Sequence, residues 1–188
     1  SFRFFLTDPA LLWAIVLFGT IEYGVLSIIS VWGVESGLTE RAAVGLIAIF
    51  SAGALVMQWP IGRAADRMPI RPLLTAAALA AVLCPLALAM LPVDIAALAL
   101  PMLIWGGLGG GLYTLALTGL GSRYTGQTLS EANSAVVFAY GLGSLLSPPA
   151  FGLAMDAAPP NGLLHAAAAV ALGYLLLITW RQIRHGTR

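Results

Sequence analysis

Long apolar runs, broken by short clusters of charged and turn-forming residues, make up most of this chain. The runs fall at about 10–33, 42–62, 72–91, 95–120, 131–153 and 162–181. Each is long enough for a helix to cross a bilayer, which takes about 20 largely apolar residues. A spanning strand needs only about 10 residues and alternates in polarity. These runs do not alternate, so strands are excluded as the main element. The joints at 34–41, 63–71, 92–94, 121–130 and 154–161 hold most of the charges. Joints this short turn each helix back beside the last. The pattern predicts an all-α, integral membrane six-helix bundle, running up and down as one domain over residues 1–188.

The charged residues then orient the bundle. Loops on the cytoplasmic side of a membrane carry an excess of Lys and Arg. With the N-terminus inside, Arg3, Arg63, Arg67, Arg71, Arg123, Arg181, Arg184 and Arg188 all fall on the cytoplasmic side, and only Arg41 falls outside. The outer joints carry Glu35, Glu40, Asp94 and Asp156 instead. Both ends of this segment are therefore expected in the cytoplasm.

Composition agrees with membrane residence. The chain is 60% hydrophobic and 9% charged, against roughly 25% charged residues in soluble domains. Nine basic residues face eight acids, a balance that offers nothing to nucleic acid. Cys84 lies within an apolar run and is expected to be a small packing residue. The first residue is Ser1, not methionine, and the chain is expected to be a piece excised from a longer protein.

Glu22 lies inside the first run, the one acid in the interior of any predicted span. A carboxylate at mid-membrane costs a few kcal/mol and faces a bundle interior or a watery cavity. Hydrocarbon surroundings favour the neutral form of a carboxyl group, the chemistry a proton-coupling or cation-binding site uses. Its helical face includes Ile15, Gly19, Leu26 and Ser30, whereas Tyr23 points about 100° away. The alternative is a structural carboxyl group bonded to a neighbouring helix.

The fourth run contains Trp105-Gly106-Gly107-Leu108-Gly109-Gly110-Gly111-Leu112-Tyr113-Thr114. The pairs Gly106/Gly110 and Gly107/Gly111 are small-xxx-small patterns that let helices approach closely. Tyr113 and Thr114 are candidates to line a cavity. No strand precedes these glycines, so a nucleotide-binding loop is rejected. In the fifth run, Thr128-Leu129-Ser130-Glu131 reads as a capping box that starts the helix. Beyond it Asn133, Tyr140, Ser144 and Ser147 share a face, which points either to water or to hydrogen bonds between helices. Gln58 closes the second run and could contact a solute or a neighbouring helix.

His165 and His185 have no acid or cysteine at ligand spacing, so no metal site is expected. Neither a Ser-His-Asp set nor an HExxH motif is present, so an enzyme is not expected, nor is a cofactor. Trp13, Trp32, Trp59 and Trp180 lie near span ends, where membrane-interface tryptophans sit.

The joint Gly62-x-x-x-Asp66-Arg67-x-x-x-Arg71 resembles the signature loop of the major facilitator superfamily, which joins the second and third helices of each six-helix half. Ala64, Pro69 and Ile70 stand where Leu, Gly and a basic residue are usual, a weakened form typical of the second copy. Gln58-Trp59-Pro60-Ile61-Gly62-Arg63-x-x-Asp66-Arg67 adds to the likeness. So do Gly111-Leu112-Tyr113-Thr114-Leu115-Ala116 and the Ala132–Pro148 run, with Ala132-Asn133-Ser134 and Tyr140-Gly141-Leu142-Gly143-Ser144-Leu145-Leu146-Ser147-Pro148. With them, nearly the whole chain resembles the C-terminal half of the YcaD-like bacterial group.

The resemblance implies secondary transport of a small solute by alternating access, in a bacterial inner membrane. It also implies a partner N-terminal half and a site at the midplane between the halves. Gly62, Asp66, Arg67 and Arg71 would form a gating loop. Glu22 would lie on the cavity-lining seventh helix, coupling transport to an ion, in the first instance a proton. Gln58, Tyr113, Thr114, Asn133 and Tyr140 would be cavity-lining candidates. A receptor or scaffold on the same fold is the competing expectation.

Overall fold

A computed structural model describes residues 3–185, with side chains through Ile183. Among them are a short helix α1 (Arg3–Thr7) and six long helices. These are α2 (Pro9–Glu35), α3 (Glu40–Ala65), α4 (Ile70–Met90), α5 (Ile95–Arg123), α6 (Gly126–Ala157) and α7 (Gly162–His185). All six are long and apolar enough to cross a membrane. No strand occurs among the described residues. Arg188 lies outside them, as do the side chains of Arg184 and His185.

Local signals place most of the helix starts. Asp8 precedes Pro9, whose missing N–H is no loss in a first turn. The Thr39 hydroxyl accepts from the Ala42 N–H at 3.3 Å. The Asp94 carboxylate accepts from Ala96 and Ala97 at 3.1 and 3.4 Å. Prolines 60, 85, 101, 148 and 149 lie inside helices that continue through them.

The expected capping box is corrected. The fifth span begins earlier, at Gly126, whose φ of 56° turns the chain into the helix after Thr125. Glu131 lies beyond the first turn and is exposed enough to take an ion pair. Its carboxylate accepts from the Arg3 guanidinium at 2.7 Å. That pair ties α1 to α6.

Helix adjacency also departs from the simple up-down picture. Consecutive helices alternate in direction, but α3 and α4 barely touch, and neither do α5 and α6. The most extensive contacts join α3 to α5 and α2 to α6, pairs that run parallel. Glycines explain both. A Cβ on Gly53 would lie 2.0 Å from the Leu103 carbonyl oxygen, and one on Gly106 would lie 1.9 Å from that of Phe50. A Cβ on Gly143 would fall 2.2 Å from the Val16 oxygen, and one on Gly19 2.6 Å from the Tyr140 oxygen. Backbones this close need glycine, and close backbone approach is what holds membrane helices together when lipid is as apolar as the side chains. The small-residue pattern of α5 is thus a packing seam against α3. Tyr174 of α7 adds a tie across the bundle, its hydroxyl donating to the Ala10 carbonyl at 2.8 Å.

One other expectation is corrected. Trp32 is buried, not interfacial. Its indole N–H donates to Asn161 at 3.0 Å, fastening the end of α2 to the turn before α7. Trp13, Trp59 and Trp180 are exposed on the bundle surface. At Gly62, by contrast with the seam glycines, a Cβ would meet nothing within 4 Å, because that side of α3 faces away from the other described helices.

Candidate functional site

Glu22 stands at the middle of α2, half-buried. The parallel α2–α6 seam brings the middle of α6 beside it. The Tyr140 hydroxyl donates to Glu22 Oε2 at 2.8 Å. Gly19 makes this possible, since its missing side chain lets the Tyr140 backbone pass next to α2. The Ser144 hydroxyl donates to the Tyr140 carbonyl at 2.8 Å, one turn along the same helix.

Aromatic rings frame the carboxyl group. Phe18, one turn before Glu22, stacks on Tyr140 with ring centres 5.7 Å apart. The Tyr113 ring of α5 lies 5.3 Å from Phe18. Tyr23 meets Tyr140 edge-on at 6.0 Å. Side chains from α2, α5 and α6 thus converge around one acid at mid-span. Phe18 was readable, because it lies four residues from Glu22 on the same helical face. Tyr23 was assigned to another face. It reaches the cluster because Tyr140 extends toward it.

The remaining candidates separate. Thr114 of α5 donates a long hydrogen bond, 3.4 Å, to the Gln58 side chain of α3. Gln58 is exposed and Thr114 half-buried. Asn133 is exposed and lies two turns before Tyr140, about 10 Å along the axis. The polar face of α6 is therefore divided. Tyr140 and Ser144 serve the seam with α2, and Ser147 is buried against Gly24.

Asp66 caps the end of α3, its N–H bonded to the Gly62 carbonyl at 3.1 Å. Its side chain, like those of Arg67 and Arg71, is exposed and makes no hydrogen bond or ion pair among the described residues. Arg63 lies over the Trp59 ring at 5.6 Å. The loop is thus formed but unengaged within this bundle. No group of three or more His, Cys, Asp or Glu among the described residues is placed to hold a metal ion.

One polar cluster was not anticipated. Asp8 is buried, and both Arg123 and the Tyr124 hydroxyl bond to its carboxylate. This clasp ties the start of α2 to the end of α5. Donation to Asp8 pushes the Tyr124 phenol above its ordinary value. A raised phenol loses its contribution only as pH climbs past the ordinary value, so the phenol's own titration leaves the clasp unchanged below about pH 10. Sequence spacing offered no signal for a pair so far apart in the chain.

The family model of the Major Facilitator Superfamily matches residues 1–148. An uncharacterized MFS-type transporter of Enterobacter sp. (strain 638) is 29% identical over 153 residues, 81% of this chain and 39% of that protein. An uncharacterized MFS-type transporter of Yersinia pestis (strain Pestoides F) is 28% identical over 163 residues, 87% of this chain and 41% of that protein. The uncharacterized MFS-type transporter YcaD of Escherichia coli O139:H28 is 29% identical over 140 residues, 74% of this chain and 36% of that protein. The chain thus spans about two-fifths of the length of these relatives. The family model covers well over half of the residues, and six membrane-length helices carry the fold. The chain belongs to the Major Facilitator Superfamily, as a multi-pass membrane protein.

Proposed function

We propose that this chain is the C-terminal half of a bacterial inner-membrane secondary transporter that moves a small solute by alternating access, coupled to protons. The observation that carries the reading is the Glu22–Tyr140 pair, a carboxyl group at mid-span bonded across two helices inside an aromatic frame. Intramembrane acids in such positions mark ion pathways and proton relays. A proton on Glu22 would be exchanged as the opposite half rocks over it.

The aromatic ring faces carry partial negative charge, and an ionised Glu22 adds to it. This environment favours a neutral or cationic solute over an anion. Tyr113 belongs to the same frame, while Gln58 and Thr114 form a separate polar pair available to the solute. Asn133 would contact it only if the cavity extends two turns along α6. The arginine-bearing end would face the cytoplasm, following the excess of arginine there. Gly62, Asp66 and Arg67 would engage an N-terminal half and steady one access state, while Arg71, at the far end of the same loop, lines a cavity beside α7. The exposure of Asp66 and Arg67, and the open space beside Gly62, are consistent with a partner outside this chain.

The test is uptake or efflux driven by a pH gradient in proteoliposomes of the full-length protein, wild type against Glu22→Gln. The glutamine keeps an acceptor for Tyr140 but cannot carry the proton. Transport that has lost its response to the gradient is expected. Full pH-driven transport by the variant would refute the coupling role.

A further inference from the structure

At the arginine-bearing end of the bundle, a cavity of about 710 Å³ opens between the starts of α2 and α4 and the ends of α5 and α7. Arg71, Arg123 and Arg181 line it, each from a different helix. The one carboxylate among its described lining residues, Asp8, is already held by Arg123 and Tyr124. Arg71 and Arg181 have no ion-pair partner among the described residues. The cavity therefore presents an excess of positive charge, with two guanidinium groups unpaired among the described residues.

A second hollow, about 620 Å³, adjoins the first and shares Pro69, Arg71 and Gln182 with it. It runs up α4 past Pro72, Ala76 and Leu79. Leu79 is 45% exposed. The span from Arg71 to Leu79 is about 12 Å at the rise of a helix. Gln182 stands at the junction, its amide donating to the Thr75 hydroxyl at 3.1 Å. A basic chamber thus continues into an apolar groove that runs along α4 away from the arginine-bearing end.

We propose that these joined hollows bind an anionic phospholipid, with its phosphate between Arg71 and Arg181 and one acyl chain along α4. Guanidinium groups bond phosphate oxygens in pairs. Basic pockets between spanning helices are recognised sites for anionic headgroups. The groove argues for a lipid over a free phosphate, because a soluble anion has no use for it. The engaged state of Asp8 argues against a zwitterionic headgroup, since no free carboxylate is left for its ammonium. A lipid seated here bridges α4 and α7 beside the Asp8 clasp.

The test is retention of lipid by the purified full-length protein in native mass spectrometry. Phosphatidylglycerol, phosphatidylcholine and soluble glycerol 3-phosphate are offered separately and in competition. Phosphatidylglycerol should be retained over phosphatidylcholine. The pair Arg71→Gln with Arg181→Gln should lose about tenfold or more in affinity, the scale of two charge-assisted contacts. Arg63→Gln, outside the cavity, should bind as the wild type does. Arg71→Lys with Arg181→Lys keeps the charge and should retain part of the affinity, which separates lost contacts from lost folding. Equal retention of the two lipids would overturn the proposal, as would a glutamine pair that binds like the wild type. Displacement of phosphatidylglycerol by equimolar glycerol 3-phosphate would show a free-phosphate site and overturn the lipid assignment.

Discussion

Asp66 and Glu22 are both acids bordered by long apolar stretches, yet their surroundings differ in kind. Asp66 ends α3 with its side chain exposed and unpaired among the described residues. Glu22 sits at the centre of α2, bonded to Tyr140 and framed by rings from three helices. The loop around Asp66 is a local object. Its residues are adjacent in sequence, and its shape comes from helix-end hydrogen bonds such as Asp66 to Gly62 and Met68 to Ala64. The Glu22 cluster is a tertiary object. It exists only because α2 and α6 pack in parallel with Gly19 and Gly143 at the crossing. A local object can be recognised without the fold and can wait for a partner. A tertiary object is only as secure as the seam that assembles it.

The seams offer the harshest way to break this contrast. Gly106→Val should abolish monodisperse protein in size-exclusion chromatography, because its side chain would collide with the Phe50 backbone at 1.9 Å. The cost should exceed the about 1–3 kcal/mol of ordinary overpacking. Gly62→Ala should change thermal stability by less than about 1 kcal/mol, since the added methyl meets open space and helix propensity favours alanine. Equal losses from the two would dissolve the distinction between seam and loop.

Function should sharpen the contrast further. Where Glu22→Gln is expected to remove the pH response, Asp66→Asn should slow transport several-fold and shift solute affinity by under about 0.5 kcal/mol. Transport kinetics paired with equilibrium binding would read this. Matching losses in rate and affinity would give Asp66 a ligand role. Tyr140→Phe should be milder. It removes a hydrogen bond worth about 1 kcal/mol but leaves the ring on Phe18, so pH-driven transport should persist at a reduced rate. Loss of the pH response as complete as in Glu22→Gln would make the hydroxyl part of the proton path.

The smallest effects belong to the periphery. Asn161→Ala leaves the buried Trp32 indole without its acceptor and should lower stability by about 1 kcal/mol in a thermal melt. Arg3→Gln breaks an ion pair whose side chains are 58% and 44% exposed, and exposed pairs contribute about 0–1 kcal/mol. A larger loss from Arg3 than from Asn161 would mean that α1 matters more to the bundle than its short length suggests.

Much of the fold was legible in the chain. Six apolar runs became six helices, each ending within a few residues of its expected limit except at α6. There the Thr128–Glu131 pattern imitated a cap while Gly126 made the actual turn. Such imitation is possible because a capping box is a four-residue pattern, and any Thr and Glu at that spacing can produce it. Within the candidate site, Glu22 stood out because no other acid is so deep in an apolar run. Its link to Tyr140 did not, because polar residues on one face of α6 suit a watery wall and a packed seam equally well. The Asp8–Arg123–Tyr124 clasp was invisible, since partners brought together by folding alone leave no spacing to detect.

Hydrophobic length by itself determined that the described residues form six helices long and apolar enough to cross a membrane, because hydrocarbon leaves no other partner for the backbone than its own carbonyls. Arginine placement gave one end of the bundle its character. Only the tertiary structure decided which helices are neighbours. Any apolar face is equally content in lipid, so partner choice falls to the few positions where glycine lets two backbones touch. Those positions joined α2 to α6 and α3 to α5, and with them placed a tyrosine on the half-buried acid.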